Sequence, residues 1–126
     1  TPATTDGNIF SGTYTPTLTG VNNVTSSTAY VCQYMRVGNV VTVSGKVSVQ
    51  ATTNNTETTI GISLPIASNF ANSEECGGAG YTMANTINGH GAAIYADPTN
   101  NRAEMDYFET HGGTDAFSFS FTYQII

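Results

Sequence analysis

The chain has 126 residues and a net charge of −6, with charged side chains at only 10% of positions, against about 25% in an average soluble domain. Its polar surface comes instead from 21 Thr, 12 Asn and 10 Ser, with no Trp, a composition that disfavours a helical bundle and suits strands joined by turns. Three Lys/Arg side chains are too few to neutralise a nucleic-acid backbone or bind an anionic membrane, and no apolar run is long enough to span a bilayer.

The length fits one domain. Residues 1–11 read as a linker or lead-in, opening on small polar residues, and residues 12–126 as a single domain. The sequence opens on Thr1 and is read as a piece of a longer or processed chain. The segment 13–19 has strand composition but holds Pro16, which places it at a sheet edge.

The stretch 30–49 predicts a hairpin. Gly38-Asn39 suits a type II′ turn. That turn pairs Val37 with Val40, Tyr34 with Val43, Cys32 with Gly45 and Tyr30 with Val47. Tyrosines and valines then share one face, and Gln33 and Ser44 meet on the other. Such a pattern is a half-buried antiparallel pair. Farther on, 58–64 points Ile60, Ile62 and Leu64 inward and stops at Pro65. One short helical turn fits within 66–76. Short strands are expected over 80–84 and 91–96, with a turn signal at Asn88-Gly89. In 102–108, Ala103, Met105 and Tyr107 alternate with Arg102, Glu104, Asp106 and Phe108.

The last strand, 116–126, carries Phe117, Phe119, Phe121, Tyr123 and Ile125 at period two, which marks a strand over the core. Seven or eight short strands predict an all-β fold, an antiparallel β-sandwich of jelly-roll type. Cys32 and Cys76 are read as two buried thiols, with a disulfide as the alternative.

No nucleophile elbow, phosphate loop or zinc-protease motif occurs, so no catalytic residue, metal or cofactor is assigned. His90 and His111 each stand beside glycine and read as exposed loop residues. The alternative is a metal or general-base role with Asp97 or Asp115. Seven of the nine acids lie between Glu74 and Asp115. A glycosidase needs two carboxylates across its substrate, whereas Glu104 and Asp106 sit side by side on one strand. Sugar binding suits an acidic face with aromatic rings better, and Tyr95 and Phe108 are the candidate rings, unless they cover neighbouring strands or a subunit contact. The ligand-binding residues expected are Tyr95, Asp97, Arg102, Asp106 and His111.

Gly12-Thr13-Tyr14-Thr15-Pro16-Thr17-Leu18 and the run from Cys32 through Gly45 to Val47 resemble the C-terminal domains of tail fibres and tailspikes of tailed bacteriophages. The segments 62–70 and 119–123 are similar to the same family, so the resemblance covers most of 12–126. It implies a homotrimer at the distal end of a fibre in the virion tail, assembled in the host cytoplasm. It also implies a non-catalytic module that contacts bacterial surface polysaccharide or lipopolysaccharide, or else one that only trimerises and caps the fibre. Val31, Met35 and Phe108 would then meet at subunit contacts. A polysaccharide hydrolase is the third reading, carried only by the acids and histidines.

Overall fold

The computed structural model describes residues 9–83, 89–110 and 113–126. Ten strands follow in chain order: β1 (Ile9–Tyr14), β2 (Leu18–Asn22), β3 (Val24–Ala29), β4 (Cys32–Val37), β5 (Val40–Ala51), β6 (Thr56–Ile62), β7 (Cys76–Thr82), β8 (Gly91–Asp97), β9 (Arg102–Glu109) and β10 (Thr114–Gln124). One 3-10 turn, Ser73–Glu75, falls in the segment expected to hold a helical turn. Every pairing is antiparallel, in the order β1-β4-β5-β10-β7-β8-β9-β6-β2, with β3 also paired to β5. The fold is all-β, as the composition requires. The pairing runs unbroken through all ten strands, so the architecture is one curled sheet, and the ladders do not display the separate sheets of a sandwich.

The curl follows from burial. Inward residues of β5 (Val41, Val43, Val47, Val49), β10 (Phe117, Phe119, Phe121, Tyr123), β6 (Ile60, Ile62) and β9 (Ala103, Met105, Tyr107) form one core. Three strand steps separate β10 from β9, about 14 Å if the sheet were flat. Yet the rings of Tyr107 and Phe117 stand 4.6 Å apart. Two corners allow this. The bend between β2 and β3 is at Asn23, which adopts φ 61°, a conformation that Asn tolerates better than most residues. Its side chain donates to Thr53 O and Thr58 Oγ1 and accepts from Thr53 N, each at 2.9 Å. So the β2–β3 corner is bolted to the β5–β6 corner.

The hairpin forms in the expected register at its turn end, with Val37↔Val40, Tyr34↔Val43 and Gln33↔Ser44. Gly38 has φ 62°, as a type II′ turn demands of its first central residue. Beyond Cys32 the register slips: Ala29, not Tyr30, lies opposite Val47. The extra residue bulges out at Tyr30-Val31. Tyr30 therefore leaves the valine face, and Lys46 Nζ sits 4.4 Å from its ring centroid. Gly45 leaves room for Cys32 Sγ, which a Cβ there would overlap. Both cysteines are free and buried, and burial raises both thiols, Cys76 to about 12.

Other boundaries differ. The expected edge strand 13–19 is two edge strands, β1 and β2, because Pro16 lies in the link between them. β1 opens at Ile9, so residues 9–11 are not lead-in. β3 was not anticipated: its sequence, Val24-Thr25-Ser26-Ser27-Thr28-Ala29, is polar and mostly exposed. Ile125 follows the end of β10. The Asn88-Gly89 turn signal falls partly on residues outside those described.

Four substitutions test this packing. Phe121, 1% exposed, should lose about 3–5 kcal/mol on change to Ala. Ser120→Ala, on the opposite face, should cost under about 0.5 kcal/mol. Denaturant melts giving equal losses would refute the assigned faces. Gly45→Ala should cost about 1–3 kcal/mol by overpacking, and Cys32→Ala in the same chain should restore part of it; additive losses would show that the two sites are not in contact.

Candidate functional site

Strand alternation puts four of the five expected binding residues on one face, Asp97 being buried at the end of β8. Tyr95 and Asp97 project outward from β8, and Arg102 and Asp106 from β9. The register sets Tyr95 opposite Glu104, Ala93 opposite Asp106 and Asp97 opposite Arg102. The fifth, His111, lies outside the described residues.

Two of the four are occupied by the fold. Asp97 begins the turn into β9. Its Oδ1 accepts from Thr99 N at 3.1 Å and from Asn100 N at 3.3 Å, and its Oδ2 accepts from Asn100 Nδ2 at 2.9 Å. Arg102 Nε donates to the same Oδ2 at 3.1 Å. Burial opposes the charge on Asp97, but the Asn100 bonds and Arg102 outweigh it and hold the carboxyl below its ordinary range. The Arg102 side chain reaches Asp97 by lying across Gly61, where a Cβ would come within 2.5 Å of Nε. Asp97 and Arg102 thus form a buttress of the β8–β9 turn.

Tyr95 and Asp106 remain available. The Tyr95 hydroxyl donates to Asp106 Oδ2 at 3.5 Å, and Thr59 Oγ1 donates to Asp106 Oδ1 at 3.2 Å. Partial burial, and then the carboxylates of Asp106, Glu104 and Glu57, push the Tyr95 phenol up to about 12. Glu57 is raised by a hydrogen bond and charge repulsion from Asp106. Beside the tyrosine, the next strand presents Gly77 opposite Tyr95 and Ala79 opposite Ala93. A Cβ on Gly77 would meet nothing within 4 Å. The row continues through Ser120 of β10 to Ser44 of β5. A floor of small side chains therefore lies between a cluster of acids around Tyr95 and a strip of serine hydroxyls. Tyr81, 60% exposed, stands at its other end. Phe108 is exposed on β9, as expected of an outer ring.

A second group of chemistry-bearing residues lies inside the curl. His90 was expected in an exposed loop but is buried, at 6% exposure. Its backbone is the reason: His90 N donates to Thr82 Oγ1 at 3.0 Å, and Thr82 N donates to His90 O at 3.0 Å, which draws the ring over the end of β7. Its Nε2 stands 3.5 Å from Asp115 Oδ2 and 3.9 Å from Glu109 Oε2. Asp115 is thus the acid near His90, and Asp97 is not. Glu109 and Asp115 are buried. They were legible as anomalies, because Glu109 continues the Ala103–Met105–Tyr107 parity and Asp115 the parity of the β10 rings. The His90 and Tyr107 rings lie 5.9 Å apart. Burial, followed by the charges of Glu109 and Asp115, raises the Tyr107 phenol well above its ordinary range.

Comparisons with protein-family models, with curated proteins and with solved structures give no match to this chain.

Proposed function

We propose that this chain is a non-catalytic glycan-binding module at the distal end of a phage tail fibre or tailspike, reading bacterial surface polysaccharide or lipopolysaccharide. The resemblance over most of 12–126 supports the setting. The observation that carries the ligand class is Tyr95 beside Asp106 at the edge of a floor no bulkier than alanine. A pyranose offers an apolar face to an aromatic ring and hydroxyls to carboxylates and serines. Near-planar small residues let it approach the strands closely. Glu104 and Asp106 stand side by side on one strand and do not flank a substrate, so the same geometry gives hydrolysis little support.

A structural reading, trimerisation and fibre capping, is favoured by a different observation. Ile9, Val37, Val40 and Met35 are exposed, and register joins Ile9 to Val37 and Val37 to Val40. Phe108 is far along the sheet from this row, on β9. A cyclic trimer uses head-to-tail contacts, in which two different patches of one subunit meet their complements on its neighbours. The β1–β4 patch and Phe108 suit the two sides of such a contact, and the β7–β8 floor stays open in either reading.

The two are separated by substitution. Tyr95→Ala and Asp106→Asn should each weaken retention on host lipopolysaccharide at least tenfold, with unchanged melting temperature. Asp97→Ala should instead cost about 1–3 kcal/mol of stability by leaving the turn's donors without their acceptor. Full retention by both Tyr95→Ala and Asp106→Asn, in a protein that light scattering shows to be trimeric, would favour the structural reading.

A further inference from the structure

The buried group under the β7–β8 and β9–β10 ends has no place in glycan recognition, since Asp106 and Glu109 point to opposite sides of β9. We propose that His90 Nε2, one carboxylate oxygen of Glu109 and one of Asp115 form a binding site for a divalent transition-metal ion of the zinc class. Three lines carry this.

The first is geometry. The three donor atoms all lie within 4.8 Å of one another. A tetrahedral ion with bonds of 2.0–2.1 Å places its ligand atoms about 3.4 Å apart. The 3.5 Å and 3.9 Å separations to Nε2 need only a small contraction to reach it. The donors come from three places: the entry to β8, the end of β9 and the start of the next strand, β10. Each is held independently, His90 by its paired backbone bonds to Thr82, and Glu109 and Asp115 by the ladders Thr56↔Glu109 and Asp115↔Val49.

The second is chemistry. One imidazole nitrogen and two carboxylates are a borderline donor set, suited to zinc, manganese or ferrous ions. Calcium takes six to eight oxygens, which this set does not supply. As ligands, His90 would be neutral and the two carboxylates ionised, so binding is proton-coupled.

The third is Tyr107. Its ring packs between His90 and Phe117, and its residue is 4% exposed. Its hydroxyl is buried with no hydrogen-bond partner among the described residues, and it lies in the field of both carboxylates. A polar group kept in an apolar core without a partner is costly. Beside an ion with three protein ligands, it supplies a donor to a ligand oxygen or a group at the fourth position. An ion held this way would clip three chain segments together at one end of the curl, adding stability through binding to the folded state alone.

The test uses untagged protein stripped with EDTA, reloaded with Zn²⁺ and desalted. The expected result is one zinc per chain by elemental analysis, with a melting temperature raised by about 10 °C when free zinc exceeds its dissociation constant a hundredfold. Co²⁺ in its place should give the intense visible absorption of a low-coordinate site. Glu109→Gln and Asp115→Asn preserve volume and should each lose the ion and the thermal shift, while Asp106→Asn on the outer face should keep both. Because loss of a buried carboxylate can unfold the chain, the parent's stoichiometry and Co²⁺ spectrum are read first. A parent that retains no zinc and shows no shift overturns the proposal. So do folded Glu109→Gln and Asp115→Asn proteins that bind zinc as the parent does, or an Asp106→Asn protein that loses it.

Discussion

Burial of one ring-bearing face of β10 is the constraint from which the rest of the architecture follows. Phe117, Phe119, Phe121 and Tyr123 are all at most 4% exposed. Their strand lies between β5 and β7, so covering these rings requires the far half of the sheet to fold back over them. Phe117 meets Tyr107 across the curl, and the ring of Phe70 packs edge-on against Tyr123 at 5.9 Å. The Tyr123 hydroxyl then donates to Ile66 O at 2.7 Å and accepts from Ile66 N at 3.2 Å, pinning the segment after β6. With the inner face committed, the alternate residues are released from packing. That is why Ser118, Ser120 and Thr122 can be small and hydroxylic, and why the outer surface is available for contact.

Period two was legible wherever one face is buried and the other wet. The β4–β5 turn, the register near it, and the inward residues of β6, β9 and β10 all follow from alternation alone. β3 escaped because Val24–Ala29 buries almost nothing and shows no alternation to read. The bulge at Tyr30-Val31 escaped because it depends on the room Gly45 leaves for Cys32, a contact between strands. The curl itself depends on side chains meeting from strands that are not neighbours.

The candidate residues divide in the same way. Alternation puts Arg102, Glu104 and Asp106 on one face of β9, and the pairing of β8 with β9 adds Tyr95 and Asp97 beside them. What parity could not say is that Asp97 is spent on a turn, although Asp97-Pro98-Thr99-Asn100-Asn101 is a composition that favours turns. His90 looked like a loop residue because glycine stands on both sides of it, and its burial comes from the partner at Thr82. β9 itself carries two chemistries, one on each side: Arg102, Glu104 and Asp106 face out, and Tyr107 and Glu109 face in. A one-residue slip of this strand would exchange them, so its register against β6 and β8 governs both.

The position of β10 has a consequence for how the polypeptide reaches its native state. β10 is the last strand in chain order, and its partner β5 precedes it by dozens of residues. Until 114–124 have left the ribosome, β5 and β7 have unpaired inner edges and the core lacks its largest rings. Pairings so distant along the chain are slow to form, and exposed strand edges invite association with other chains. Folding of this domain therefore waits on 114–124, and the interval before β10 docks is the stage at which neighbouring chains can exchange strands or aggregate.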